Sequence, residues 1–322
     1  MMSQAVEVKN LTKIFGEKLI AVNNLNFAVE KGAVYGFLGP NGAGKTTTIR
    51  LLLGLIRPTA GEVRVFGEKM TPSASALRRR IGYLPTNPRF PPKMTPITYL
   101  DFVGRLFSLG SEKRKNRLSA LIRAVGLLGD SAREIGGFST GMLTRLGLAG
   151  ALMNDPELLI LDEPTSGLDP SGRKSTLELI EELGKEKTIF VSSHILGDMD
   201  RVCTSVGVIS QGKSIFSGTI KEIKKSIRGH SVRVEVEGDI EKLRGSLTGA
   251  GWVRSFEIRG DFAVDIDFNP GVPMAEAVKD AADLVSSHGL ELISVTSSSS
   301  SIEDAFVELV RGEETRGFLR AA

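Results

Sequence analysis

The sequence predicts an α/β core carrying a helical insertion, followed by a small α+β unit. Three observations support that reading. The apolar run 34–38 leads straight into a glycine-rich loop and then a helix, which carries Ile49, Leu52, Leu53 and Leu55 toward the core. Runs 158–161 and 188–192 are apolar without alternation, the pattern of parallel strands buried on both faces. Beyond residue 230 the pattern becomes strand, helix, strand, strand, helix, strand.

The elements follow in order. Residues 5–8 alternate and 28–30 end at a Lys31-Gly32 turn, giving strands ahead of the glycine-rich loop, and 62–66 and 80–84 are further strands. Near Pro85 the character changes, and 99–153 reads as helical. Tyr99, Phe102, Val103, Leu106 and Phe107 form one apolar stripe, and Leu118, Leu121, Ile122 and Val125 form another. Segments 206–209 and 213–216 make a hairpin about Gln211-Gly212. Residues 231–237 alternate as a half-exposed strand, followed by a helix (239–249), strands (252–258 and 261–268), a helix (273–288) and a strand (290–296). That βαββαβ order is the ferredoxin-like split arrangement. A serine linker, 297–301, precedes a last helix opened by a Ser301–Asp304 capping box. The expected domains are 1–226, with a helical part at about 88–153, and 230–311, leaving 312–322 as a tail.

Bulk composition narrows the class. Lys and Arg total 41 against 38 Asp and Glu, a formal charge of +3, too weak to indicate a nucleic-acid binder. The basic runs 78–80, 113–117 and 221–225 have no interleaved aromatics and read as solvated faces. Cys203 is the only cysteine, so no intramolecular disulfide is possible and a reducing compartment fits. No segment approaches the roughly 18–20 apolar residues of a membrane span, and the N-terminus shows no secretory pattern. A cytoplasmic chain that meets a membrane only through a partner is expected.

Four short segments carry chemistry. Gly39-Pro40-Asn41-Gly42-Ala43-Gly44-Lys45-Thr46, continued by Thr47, matches G-x-x-x-x-G-K-[ST], the phosphate-cradling P-loop. Its backbone N–H groups and the following helix N-terminus suit phosphates. Lys45 would neutralise the β- and γ-phosphates, and the Thr46 hydroxyl would bind Mg²⁺. Asp162 and Glu163 end an apolar strand, suited to holding Mg²⁺ and to acting as general base toward water. In Phe138-Ser139-Thr140-Gly141-Met142, Ser139 is a helix N-cap and Gly141 permits close backbone approach. His194 follows strand 188–193, and its imidazole can hold a phosphate or a water near neutral pH.

In this order the four segments resemble the ATP-binding cassette (ABC) family over roughly residues 4–225. The resemblance implies a P-loop NTPase cassette that hydrolyses ATP with Mg²⁺. It makes Glu163 and His194 catalytic, with His194 as the switch histidine, and Thr46 and Asp162 the metal ligands. It places Phe15 where an aromatic stacks on adenine, and segment 166–169, ending at Asp169, at a dimer interface beside the γ-phosphate. Ser139 and Gly141 correspond to an altered signature motif of the drug- and antibiotic-export branch, which closes over ATP bound to a second subunit. A head-to-tail dimer follows, most simply a homodimer, working with a separate integral membrane permease on the inner face of the cell membrane. The βαββαβ segment resembles the accessory domain of that branch. One position departs from the pattern: Thr86, followed by Asn87, stands where the family carries Gln or Glu. A soluble ABC protein acting on ribosomes or nucleic acid is the alternative, but the tandem cassettes or long insertions usual in that class are missing. A non-hydrolysing clamp is opposed by Glu163 and His194.

Overall fold

The structure, a computed structural model, describes residues 3–16, 18–227, 231–269 and 271–297. Its contacts divide the chain into two units, Met1–Ile220 and Lys221–Ala322. The division falls at the start of a helix, Ile220–Ile227, a few residues ahead of the expected boundary.

Two sheets build the first unit. In the smaller one, β1 (Gln4–Phe15), β2 (Leu19–Glu30), β4 (Ala60–Val65) and β5 (Glu68–Lys69) run antiparallel in the order β2-β1-β4-β5. The larger contains β3 (Val34–Leu38), β6 (Ile81–Leu84), β7 (Leu158–Asp162), β8 (Thr188–Ser193), β9 (Ser205–Ser210) and β10 (Lys213–Thr219). Its order is β10-β9-β3-β8-β7-β6, parallel except for the β9–β10 hairpin. Strands β3, β7 and β8 are buried along their whole length, as continuous apolar runs require. Phe27 of β2 joins the sheets, lying 5.5–5.9 Å from the rings of Tyr35, Phe37 and Phe190.

Helix α1 (Lys45–Leu52) starts at the P-loop and buries Ile49, Leu52 and the adjoining Leu53. Leu55 does not join them. The helix ends at Leu52, Gly54 turns the chain at φ +64°, and Leu55 is left exposed. A short helix, α2 (Ser75–Arg78), precedes β6. The insertion holds α3 (Pro96–Leu106), α4 (Ser111–Ala124) and α5 (Thr140–Leu152). On α4 and just beyond, Leu118, Leu121, Ile122 and Val125 are buried as expected.

The expected α3 stripe is met in part: Tyr99, Val103 and Phe107 are half-buried, and the Tyr99 ring lies 4.9 Å from that of Phe90. Phe102 and Leu106 are exposed, at 47% and 62%, while the row Pro96, Leu100 and Gly104 is buried. A Cβ on Gly104 would collide with the Arg114 side chain of α4, so a small residue sets which face packs. Beyond β7 the unit adds α6 (Pro170–Gly184) and α7 (Leu196–Val202), and α8 (Ile220–Ile227) crosses the division. No helix among the described residues is long and apolar enough to cross a membrane.

In the second unit β11 (Ser231–Glu237), α9 (Arg244–Gly249), β12 (Val253–Arg259), β13 (Ala263–Phe268), α10 (Met274–Ser287) and β14 (Glu291–Ser297) follow the expected order. The antiparallel sheet runs β12-β13-β11-β14, the strand order of a split βαββαβ unit. Val232, Val234, Val264 and Ile266 share a core with Leu247, Ala277 and Val285 from the helices. Residues 298–301 of the serine linker, and the last helix expected after them, lie outside the described residues.

Asp265 on β13 accepts two hydrogen bonds from Arg233, each 2.8 Å, and pairs with Arg259. Arg233 first, then Arg259, holds its carboxyl below the usual carboxylate range. The folded-state pKa is thus depressed, so the stabilisation is present above the unfolded pKa and lost as pH falls through the folded one. Trp252, the only tryptophan, flanks this unit's core and reports its melting. Asp265→Asn is expected to lower the fluorescence-detected Tm at pH 7, with the difference from wild type shrinking as pH falls through the depressed carboxyl pKa. A difference that persists in acid would show that charge is not the cause.

Candidate functional site

The strand register brings the candidate residues to one edge. Leu38 pairs with Ser193 and Asp162 pairs with Ser192, so the loop after β3, the carboxylates ending β7 and the histidine after β8 emerge side by side. This is the carboxyl edge of a parallel sheet, where open α/β folds bind ligands.

The P-loop hangs from β8 by the Gly39 N–H, which donates to the Ser193 carbonyl at 3.2 Å. At Gly44 φ is +107°, and a Cβ would meet the Ala21 carbonyl oxygen, so only glycine fits. Lys45 is 6% exposed, and its Nζ donates to the Gly39 carbonyl at 2.7 Å and the Pro40 carbonyl at 3.2 Å. The same ammonium lies 3.0 Å from Glu163 Oε1. The loop's carbonyls point the charge inward, and an incoming phosphate competes for it with one carboxylate.

The carboxylates are fixed from several sides. Thr46 Oγ1 donates to Asp162 Oδ2 at 3.0 Å, and Ser192 Oγ donates to Asp162 Oδ1 at 2.6 Å. The Ser192 oxygen also accepts from the Glu163 N–H at 3.0 Å. Glu163 sits at φ +50°, a left-handed conformation that costs a residue with a Cβ roughly 1–2 kcal/mol and persists only where surrounding contacts impose it. Its second oxygen, Oε2, lies 3.0 Å from His194 Nδ1. Asn41, Thr46, Asp162, Glu163, Ser166 and His194 line a cavity of about 420 Å³, completed by Arg50, Tyr83, Pro85 and Thr86. Burial, and then the Asp162 charge, raise the Tyr83 phenol pKa, so it stays neutral there.

The donor set suits magnesium. Thr46 and Asp162 offer hard oxygens 3.0 Å apart, and Mg²⁺ typically takes one or two protein ligands and completes its shell with water and phosphate oxygens. Among the described residues there is no group of three or more His, Cys, Asp or Glu that could form an all-protein cage.

Other expected residues stand apart from this cavity. Ser139 caps α5, accepting from the Met142 N–H at 3.3 Å, worth about 1 kcal/mol to the helix. The nearest neighbour of a Cβ built on Gly141 is Leu168, in the loop after β7, at 3.9 Å. Asp169 is the residue ahead of α6, with no side-chain capping bond. Phe15 ends β1 and is 39% exposed, with the Lys13 ammonium 5.0 Å from its ring centroid.

The contacts of Ser192 and Asp198 are among those the sequence reading did not anticipate. Ser192 bridges Asp162 and Glu163, and the only hint of it is a hydroxyl in register with the carboxylate across neighbouring strands. Asp198, buried on α7, accepts from Thr165 Oγ1 at 2.8 Å and Arg173 Nε at 2.6 Å. It ties the loop after Glu163 to α6 and to the helix following His194.

A phosphate loop, a strand-end Asp-Glu pair and a histidine around one cavity define a P-loop nucleotide hydrolase. Residues 22–166 match the ABC transporter family. The chain is 37% identical over 314 residues to the bacitracin transport ATP-binding protein BcrA of Bacillus licheniformis, covering 97% of this chain and 99% of that one. It is 35% identical over 318 residues to the Nod factor export ATP-binding protein I of Cupriavidus metallidurans, covering 98% and 100%. Among solved structures, cbiO1 from Clostridium perfringens, part of the ABC transporter complex cbiONQ, aligns with a TM-score of 0.64 at 27% identity, over 70% of this chain and 94% of that one. The chain belongs to the ATP-binding proteins of ABC transporters, and the reaction of that family is the hydrolysis of ATP with Mg²⁺.

Proposed function

We propose that this chain is the ATP-hydrolysing subunit of an ABC exporter, a homodimer that drives a separate membrane permease from the cytoplasmic face. One observation carries the dimer. Asn41 and Thr46 of the P-loop line one cavity with Asp162, Glu163 and His194, while Ser139 and Gly141 of the same chain are not among its lining. We read their signature motif as serving a second subunit's nucleotide, which gives two composite sites.

In this reading the N–H groups of the P-loop and Lys45 hold the phosphates, and Phe15 stacks on the adenine. Thr46 and Asp162 hold Mg²⁺, which neutralises charge developing on the phosphate oxygens. Glu163 accepts the proton of the attacking water, and His194, beside it, orients that water against the γ-phosphate. Asp169 and its loop lie at the subunit junction. Export is supported by the end-to-end relatives, one named for bacitracin transport and one for Nod factor export. Both alignments run through the second unit, which fits an accessory domain at 230–311.

The test is purification of the tagged chain from gently solubilised native membranes. A multi-span membrane protein in near-equal amount is the expected result. Ribosomal proteins or nucleic acid without a membrane partner would overturn the exporter reading in favour of a soluble ABC ATPase.

A further inference from the structure

The peptide joining Asp162 to Glu163 is gripped at both its polar atoms by side-chain hydroxyls. Its N–H donates to Ser192 Oγ on β8, and its carbonyl accepts from Thr86 Oγ1, each at 3.0 Å. The β6–β7 ladder has its last pair at Leu84 and Leu161, and Pro85 has no N–H to extend it. Beyond the ladder it is the Thr86 hydroxyl that reaches the Asp162 carbonyl. The next residue along β7's chain is Glu163, in its left-handed conformation, so the orientation of this peptide sets the direction in which the Glu163 side chain departs.

Thr86 also opens the segment that enters the helical insertion. Pro92 and Met94 accept through their carbonyls from the Gly136 and Ile135 N–H groups, each at 2.8 Å. Pro88 lies beside Gly147 of α5, where a built Cβ would be 3.5 Å from its ring. One end of the segment is therefore fastened to the insertion, and the other to the catalytic peptide by a single hydroxyl. That hydroxyl has one proton, and it is donated to the carbonyl.

We propose that Thr86 is a positioning residue for hydrolysis: its hydroxyl fixes the Asp162–Glu163 peptide and thereby aims the Glu163 carboxylate, without contacting the metal. This rests on Glu163 being the base. Thr86→Val keeps the shape and removes the hydroxyl, whereas Thr86→Ser restores it. The measurements are kcat, KM for ATP, the Mg²⁺ concentration for half-maximal rate, and hydrogen–deuterium exchange at the Glu163 amide without nucleotide.

Thr86→Val is expected to lower kcat by roughly 10- to 100-fold, the scale of an ångström-level misplacement, with KM and the Mg²⁺ midpoint unchanged. The Glu163 amide should exchange faster. Thr86→Ser should recover most of the turnover and the protection. On a Glu163→Gln background, Thr86→Val should cause little further loss, because the positioned group is already disabled.

A shifted Mg²⁺ midpoint in Thr86→Val would overturn the proposal in favour of a metal contact. Wild-type turnover, or wild-type exchange at the Glu163 amide, would equally overturn it. Failure of the base assignment is separable: it would appear as wild-type hydrolysis by Glu163→Gln alone.

Discussion

Glu163→Gln is expected to reduce ATP turnover by roughly 10²- to 10⁴-fold, the usual contribution of a positioned general base, while ATP still binds. The amide has the shape of the carboxylate, and its oxygen can still accept from Lys45 Nζ, 3.0 Å from Oε1 in the native protein. Its NH₂ group then faces His194 Nδ1, which lies 3.0 Å from Oε2 and can accept as the other tautomer. The hydrogen bonds survive, and what is lost is the ability to take a proton from water. With hydrolysis blocked, the ATP-bound closed state has no exit, so the variant should accumulate as a dimer at saturating Mg-ATP. Light scattering during size exclusion reads this directly. A variant that binds ATP and stays monomeric would contradict composite sites, and one that hydrolyses at the wild-type rate would remove Glu163 from the base role.

Local sequence carried much of this architecture because its strongest signals are local. The P-loop needs glycines at fixed offsets between a strand and a helix, and the buried parallel strands need unbroken apolar runs. The βαββαβ order showed in the alternation of 231–237 and the lengths that follow. The misreadings came where the apolar pattern alone does not decide the packing. On α3 the large residues suggested a stripe of which Phe102 and Leu106 stay exposed, because Gly104 lets α4 approach and the row of Pro96, Leu100 and Gly104 is the one buried. At Leu55 the positive φ of Gly54 had already ended the helix. The carboxylate pair was legible as a strand-end Asp-Glu, but the hydroxyls that hold it were not. Ser192 comes from β8 and Thr86 from the chain just past the end of β6, and only the strand register brings them to the same peptide. Asp198 is a further instance, an ordinary acidic helix residue in sequence and a buried junction in space.

Lys45→Ala should weaken ATP binding by about 10- to 100-fold, since a hydrogen bond to a charged group is worth about 1.5–3 kcal/mol. The native ammonium is held in place before any phosphate arrives, by the Gly39 and Pro40 carbonyls and by Glu163. That cage also argues that arginine cannot replace it. A planar fork needs more room than a point charge, and two loop carbonyls and one carboxylate surround the Lys45 position at 2.7–3.2 Å. Titration with a fluorescent ATP analogue is therefore expected to give weakened binding for both Lys45→Ala and Lys45→Arg. Affinity within error of wild type for Lys45→Ala would remove the lysine from the phosphate site. The combination with Glu163→Gln orders the two events. If closure requires ATP on the P-loop, the double variant stays monomeric at an ATP concentration that fully dimerises Glu163→Gln. Dimerisation of the double variant at that concentration would mean that closure does not depend on nucleotide held by this loop.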